Sequence, residues 1–275
     1  MRVDAHQHFW RIARGDYGWL TPADHPKIAR DFLPPDLSPL LAAGRIDKTV
    51  LVQAAPSEAE TQFLLELAAA TPFVAGVVGW TDLEAPDAAA RIARACAEPK
   101  LLGLRPMVQD IADDEWLLRP ELARAFDAMA RGDLCFDALV KPRHLPALAE
   151  FLERYPDLPV VIDHAAKPDI AHSGLDLWAT YIRHIAKSTK AFCKLSGLAT
   201  EAGPGWSAAT LKLYVDVLLE SFGPTRLMWG SDWPVLNEAG DYAQWLAVAE
   251  VLTKHLSSTD REAIFGGTAV KFYAI

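Results

Sequence analysis

The sequence predicts an α/β fold, a single (β/α)₈ TIM barrel spanning residues 1–275, and three observations carry that prediction. Apolar runs of strand length alternate with amphipathic segments along the whole chain. These runs number eight, and no low-complexity linker, repeat or charge block divides the chain. Several of them, such as Val160-Val161-Ile162, are apolar without alternation, as suits parallel strands buried on both faces.

In chain order the predicted strands are Arg2 to His8, Lys48 to Gln53, Phe73 to Trp80, Leu101 to Met107, Leu134 to Lys141, Pro159 to His164, Ala191 to Gly197 and Arg226 to Asp232. Apolar residues at helical spacing mark Ser57 to Ala70, Ala85 to Ala97, Pro120 to Ala130, Leu145 to Tyr155, Leu175 to Lys187 and Ser207 to Phe222. Ser57 followed by Glu60 has the form of a capping box, and Pro120 with Glu121 suits a first helical turn. A last helix is expected from about Tyr242 to His255, and Asp260 to Phe272 as a short helical tail. The stretch from Trp10 to about Pro35 reads as a long loop carrying Tyr17, Trp19 and several prolines, and is expected to act as a lid.

Composition narrows the function. A 275-residue chain that is 51% hydrophobic can bury a large core. Its 27 Lys and Arg against 36 Asp and Glu give a formal charge of −9, which argues against nucleic acid or an anionic membrane as partner. Cys96, Cys135 and Cys193 are odd in number and far apart, as free thiols in a reducing compartment are. The first strand begins at residue 2 or 3, leaving no room for a signal peptide, and no apolar run is long enough to cross a bilayer. The expected location is the cytoplasm.

Chemistry in such a barrel sits at the C-terminal ends of the strands. Strand one ends in His6 and His8, which at i and i+2 leave the same face. Strand two offers Gln53, strand three Trp80 and Asp82, strand four Arg105, strand five Lys141, strand six His164, strand seven Ser196 and strand eight Asp232. Almost every strand thus ends in a polar or aromatic group.

The segments His6-Gln7-His8-Phe9-Trp10, Gly79-Trp80, Gly103-Leu104-Arg105, Asp163-His164-Ala165-Ala166-Lys167-Pro168, Lys194-Leu195-Ser196-Gly197 and Gly230-Ser231-Asp232-Trp233-Pro234 resemble the amidohydrolase superfamily. More narrowly, they resemble its amidohydrolase-2 branch of sugar and aromatic lactonases. The match runs in order from residue 3 to about residue 234; Ala166, where the family commonly has Gly, is a small departure outside the catalytic positions. The resemblance implies that His6, His8, His164 and Asp232 form the reactive cluster and that the substrate is a cyclic ester, of the L-fucono-, L-rhamnono- or L-galactonolactone type.

Opening a lactone needs an activated water, stabilisation of the developing oxyanion and a proton for the departing ring oxygen. Asp232 is the candidate base, and the three histidines are candidate donors to the carbonyl oxygen. Arg105 and Lys141 are expected to hold ring hydroxyls or a carboxylate, with Trp80 or Trp19 stacked on the sugar; Gln53 and Trp233 complete the expected binding set. His6, His8, His164 and Asp232 also suffice for one divalent ion, zinc foremost. Whether a metal is needed stays open here, because the resemblance also covers lactonases that work without one. A binuclear centre is disfavoured, since strands four and seven supply Arg105 and Ser196 rather than ligands.

Two other readings stand beside the lactonase. One is a zinc-dependent decarboxylase, which would want more than one arginine at the mouth. The other is a non-catalytic sugar-binding barrel, against which the intact His6, His8, His164 and Asp232 set argues. Asp163, next to His164, is expected on the opposite face in a structural hydrogen bond. His25, His144, His172, His184 and His255 are expected to be solvated or packing, and Trp178 and Trp245 to be packing residues. The oligomeric state, including a homodimer, stays open.

Overall fold

Eight parallel strands follow one another around the sheet in chain order. The computed structural model describes residues 1–275. The strands are β1 (Val3–Gln7), β2 (Lys48–Val52), β3 (Val74–Gly79), β4 (Leu101–Leu104), β5 (Cys135–Ala138), β6 (Val160–Ile162), β7 (Phe192–Leu195) and β8 (Leu227–Trp229). The seam between β8 and β1 closes through a bridge of Gln7 with Trp233. Two backbone bonds reinforce it, Asp232 N–H to His6 O at 2.8 Å and His8 N–H to Trp233 O at 2.7 Å.

The connecting helices are α1 (Pro34–Gly44), α2 (Glu58–Ala70), α3 (Ala88–Ala95), α4 (Ala123–Arg131), α5 (Leu145–Arg154), α6 (Asp176–Ser188), the short α7 (Leu198–Ala202) with α8 (Ala208–Phe222), and α9 (Tyr242–Leu252). Helix α1 is absent from the sequence-based expectation because Pro34, Pro35 and Pro39 read as loop signals. Pro34 and Pro35 in fact sit in the first turn, where a missing N–H leaves no helical bond unmade. The capping box at α2 is half formed. Ser57 Oγ accepts the Glu60 N–H at 3.0 Å, but the Glu60 carboxylate turns away to accept the backbone N–H groups of Ala54 and Ala55. The expected single tail helix is α10 (Ser258–Glu262), a π-type turn over Ala263–Gly267, and α11 (Thr268–Tyr273).

Alternation along the strands sends one set of side chains into the barrel and the other out to the helices. The interior set comprises Val3, Ala5, Val50, Val52, Val78, Cys135, Val161 and Met228, packed with Ala269 and Tyr273 of α11. The outer set joins the helices in a much larger apolar cluster. The predicted strands overrun the observed ones at the catalytic end, as at Leu101 to Met107, where β4 stops at Leu104. The chain leaves the ladder there, and the site residues occupy short irregular segments just beyond it. No helix is long and apolar enough to cross a membrane.

Candidate active site

The register of β1 shifts between Asp4 and Gln7, so His6 faces inward although Ala5 does too. His6 and His8 then bring their Nε2 atoms to 3.2 Å of each other. His8 is oriented from behind, its Nδ1 lying 2.8 Å from the Val52 carbonyl, which can only accept. The His8 proton therefore sits on Nδ1 and the Nε2 lone pair faces the site.

From β6 the site receives two consecutive side chains, which a regular strand cannot deliver. His164, Ala165, Ala166 and Lys167 all have positive φ, between 50° and 59°. This left-handed run follows Asp163 directly and turns both Asp163 and His164 inward, which corrects the expectation that Asp163 points away. Each such residue costs of order 1 kcal/mol or more, so the strain must be offset by the contacts the run allows. Trp178 Nε1–H donates to the Ala165 carbonyl at 2.6 Å, and Ser196 Oγ lies 2.8 Å from His164 Nδ1. Gly197 has φ +69°, and a Cβ there would fall 2.6 Å from the His164 Cβ, so glycine is required for the ring to lie where it does.

Asp232, also left-handed at φ 58°, completes the cluster. Its Oδ1 lies 3.2 Å from His8 Nε2, 3.7 Å from His164 Nε2 and 3.8 Å from His6 Nε2. Beneath it lies a fully buried layer of charge. The Lys194 ammonium of β7 is 2.5 Å from Asp137 Oδ2, 3.0 Å from Asp163 Oδ1 and 3.1 Å from His6 Nδ1. Tyr273 OH reaches up from α11 to donate to Asp137 Oδ2 at 2.8 Å. Arg105 closes the layer, with Nη1 3.4 Å from Asp163 Oδ2 and Nη2 donating to the Gln53 carbonyl.

Burial and the neighbouring Lys194 ammonium push His6 well below the ordinary histidine range. Burial pushes His164 down to about 4 against the pull of Asp232. Burial alone would raise Asp232, but the histidines around it, His164 foremost, hold it well below the usual carboxylate range. Asp163 is likewise held low by Lys194, His6 and Arg105 in spite of its burial. Burial disfavours the Lys194 ammonium, yet Asp137 and Asp163 outweigh it and keep the group charged.

A cavity of about 330 Å³ opens above the cluster, with His8, His164, Asp232 and Arg105 in its lining together with Trp19 from the long first loop. Gln53, Lys141, Trp80 and Trp233 do not line it, contrary to expectation. Gln53 is buried under Arg105, its Nε2 donating to the Arg105 carbonyl at 2.6 Å. Lys141 starts the turn Pro142–His144, its N–H bonded to His144 Nδ1 and its side chain exposed. Trp80 is pinned by its backbone, both N–H and C=O bonding Thr61 Oγ1. Trp233 is buried edge-on against Phe9 and Phe32.

The family described as Amidohydrolase matches residues 3–275. The chain belongs to the amidohydrolase family. This amidohydrolase is 49% identical to a Burkholderia ambifaria protein named L-fucono-1,5-lactonase, over 100% of this chain and 96% of the relative. A Burkholderia multivorans protein of the same name is 39% identical over 100% and 96%. A crystal structure of a Burkholderia multivorans amidohydrolase with bound zinc superposes with TM-score 0.93 at 39% identity, covering 100% of this chain and 99% of that one.

The donor chemistry of this amidohydrolase fits a single divalent ion. His8 offers Nε2 with its Nδ1 on the Val52 carbonyl, His6 Nε2 lies 3.2 Å from it and Asp232 offers a carboxylate oxygen; the donor atoms of these three residues lie within 4.8 Å of one another, with His164 Nε2 3.7 Å from Asp232 Oδ1, a donor set of the kind that holds a catalytic zinc. A second group, His6, Asp163 and His164, also brings its donor atoms within 4.8 Å of one another, but there the Asp163 carboxylate already faces two cations, Lys194 and Arg105, which disfavours a second ion.

The sequence reading missed several groups. His25 lines the cavity, its ring 5.1 Å from that of Trp19, and was expected to be solvated or packing. Lys167 lines it too, with Nζ 3.5 Å from Glu201 Oε1; its place in the Asp163 to Pro168 motif was the available signal. Lys194 and Asp137 were readable from parity alone, lying two residues before Ser196 and on the interior face of β5.

Proposed function

We propose that this amidohydrolase opens a sugar-acid lactone of the L-fucono-1,5-lactone type. The observation that carries the reading is the convergence of three histidine Nε2 atoms on Asp232 Oδ1 at the floor of a cavity sized for one sugar ring. The 49% identity to a protein named L-fucono-1,5-lactonase supports the sugar.

In this reading Asp232 takes a proton from water while the water oxygen bonds to the acyl carbon and the carbonyl electrons move onto oxygen. The tetrahedral intermediate then expels the ring oxygen, which receives the proton that Asp232 took from the water, leaving the open hydroxy acid and regenerating the Asp232 carboxylate. Asp232 is ionised throughout the working range but weakly basic, which matches it to an ester with an activated acyl carbon. His6 and His164 face the carbonyl oxygen, Arg105 binds paired oxygens of the substrate, and Trp19 offers an aromatic face to the ring. A zinc ion held by His6, His8 and Asp232 would acidify water and polarise the carbonyl. The protein groups supply a base and hydrogen-bond donors without it.

A decarboxylase would want several arginines, and Arg105 is the single arginine lining the cavity. Against the non-catalytic barrel, all four reactive residues are present and converge. We read residues 1–275 as one catalytic domain and place the protein in the cytoplasm, a location supported by its three free thiols. The test is proton release from a panel of L-fucono-, L-rhamnono-, L-galactono- and D-arabinonolactones with one aromatic lactone. The highest kcat/KM is expected on L-fucono-1,5-lactone, and a panel without turnover overturns the reading.

A further inference from the structure

We propose that Glu60 is a positioning residue for substrate binding: through two consecutive peptide units it aims one backbone carbonyl at Arg105 and the next at Trp19, and so sets two side chains that line the cavity. That a lactone is what they hold rests on the reading above; the relay from Glu60 to the two side chains does not.

Glu60 lies in the first turn of α2, is fully buried and takes no part in the chemistry described above. A complete capping box would use its carboxylate on the Ser57 N–H, but that group donates to the Ala55 carbonyl at 2.9 Å. The carboxylate is thereby left to the turn that follows β2. Its Oε1 accepts the Ala54 N–H at 3.0 Å and its Oε2 the Ala55 N–H at 2.8 Å.

Both peptide bonds of this turn are trans, since the cis bond of the chain is Trp233–Pro234. In a trans peptide the N–H and C=O point in opposite directions, so an N–H held by Glu60 turns the carbonyl of the same unit away from Glu60. The Ala54 N–H shares its unit with the Gln53 carbonyl, which accepts Arg105 Nη2–H. The Ala55 N–H shares its unit with the Ala54 carbonyl, which accepts Trp19 Nε1–H at 2.8 Å. Arg105, Trp19 and Ala54 line the cavity, and Glu60 stands behind them. One carboxylate thus fixes a guanidinium and an indole at once. Donation to an anion also polarises each peptide unit, which strengthens its carbonyl as an acceptor.

Burial pushes the Glu60 carboxyl up to about 7, although both N–H groups and Arg105 favour its charge. The position is therefore costly for a carboxylate, and an apolar side chain would fill it at less cost to the fold. What the carboxylate supplies is its hold on two peptide planes.

Glu60→Gln tests the relay in the full-length protein. The amide keeps the shape but has one acceptor oxygen and no charge, and its NH₂ would face a peptide N–H, so the two units are no longer both held. On the lactone of the panel that is turned over fastest, KM is expected to rise about 10-fold with kcat little changed. The Trp19 Nε1–H resonance, assigned in ¹⁵N-tryptophan-labelled protein by comparison with Trp19→Phe, is expected to move upfield as its bond to the Ala54 carbonyl weakens. A residue that only stabilised the fold would shift the unfolding midpoint and leave both readouts where they were. A folded Glu60→Gln protein with an unchanged KM or an unmoved Trp19 resonance overturns the proposal. If that variant does not fold, Trp19→Phe, which cuts the lid end of the relay, decides in its place: KM is expected to rise, and an unchanged KM overturns the proposal. A silent lactone panel beside a moved Trp19 resonance removes the lactonase reading and leaves the relay standing.

Discussion

His8 Nε2 and Asp232 Oδ1 stand 3.2 Å apart with no proton of their own to share, because the His8 proton is committed to the Val52 carbonyl. Two lone pairs facing each other across that distance select what comes between them, which is a water proton or a cation. The reactive centre is defined by this pair.

Asp232→Asn tests the base. The asparagine amide can donate to His8 Nε2, so the fold and the pocket should persist while the proton acceptor is lost. The kcat on the best lactone should fall by about 10²- to 10⁴-fold with a far smaller change in KM. Near-normal kcat in a folded variant would transfer the base role to His8.

Arg105→Ala tests binding. A guanidinium fork recognises oxygens in the ground and transition states alike, so KM should rise about 10-fold or more while kcat changes less. Steady-state kinetics on two lactones differing in one hydroxyl would check this, and an unchanged KM on both would show that Arg105 does not touch substrate.

The pH dependence follows from His164, whose pKa is pushed down to about 4. An unfolded histidine takes a proton below about 6.5, whereas the folded one resists until about 4, so the unfolded state binds more protons in that window. Stability contributed by neutral His164 is complete above pH 6.5 and is lost as pH falls toward 4. By pH 5 the loss is about 2 kcal/mol. Urea unfolding at pH 7 and pH 5 should show this loss in the wild type and not in His164→Asn, a comparison in which the other titrating groups cancel. The acid limb of kcat/KM should likewise reflect His164 near 4 rather than Asp232, which titrates lower.

Metal content gives a further check. One ion fits His6, His8 and Asp232, and the charges of Lys194 and Arg105 beside Asp163 disfavour a second. Elemental analysis should find at most one equivalent per chain, removable by chelation with the fold intact by circular dichroism. Two equivalents would contradict the charge assignment of the buried layer.

The barrel and four converging groups were legible because strand ends and i, i+2 parity are local properties of sequence. His6 and His8 needed no tertiary information. Asp163 was misplaced because parity assumes a strand, and the left-handed run from His164 to Lys167 is not one. Lys141 and Trp80 were chosen as strand ends, but the chain had already left the ladder at Ala138 and Gly79, and backbone bonds then turned them elsewhere. Lys194 stands in the Lys194-Leu195-Ser196-Gly197 segment without an assigned role, since one charge in an apolar strand names no partner. Its partners come from β1, β5 and β6, and only folding brings them together.

The barrel's closing seam and its reactive cluster are made from the same residues. Asp232 and His6 share a backbone bond across the join, as do Trp233 and His8, and the side chains of His8 and Asp232 meet directly above it. Any molecule or ion that bridges those two side chains also fastens the first strand to the last. Occupancy of the site is therefore a clasp on the whole cylinder, and a bound inhibitor should slow amide exchange at residues 4–8 and 228–233 more than anywhere else in the chain.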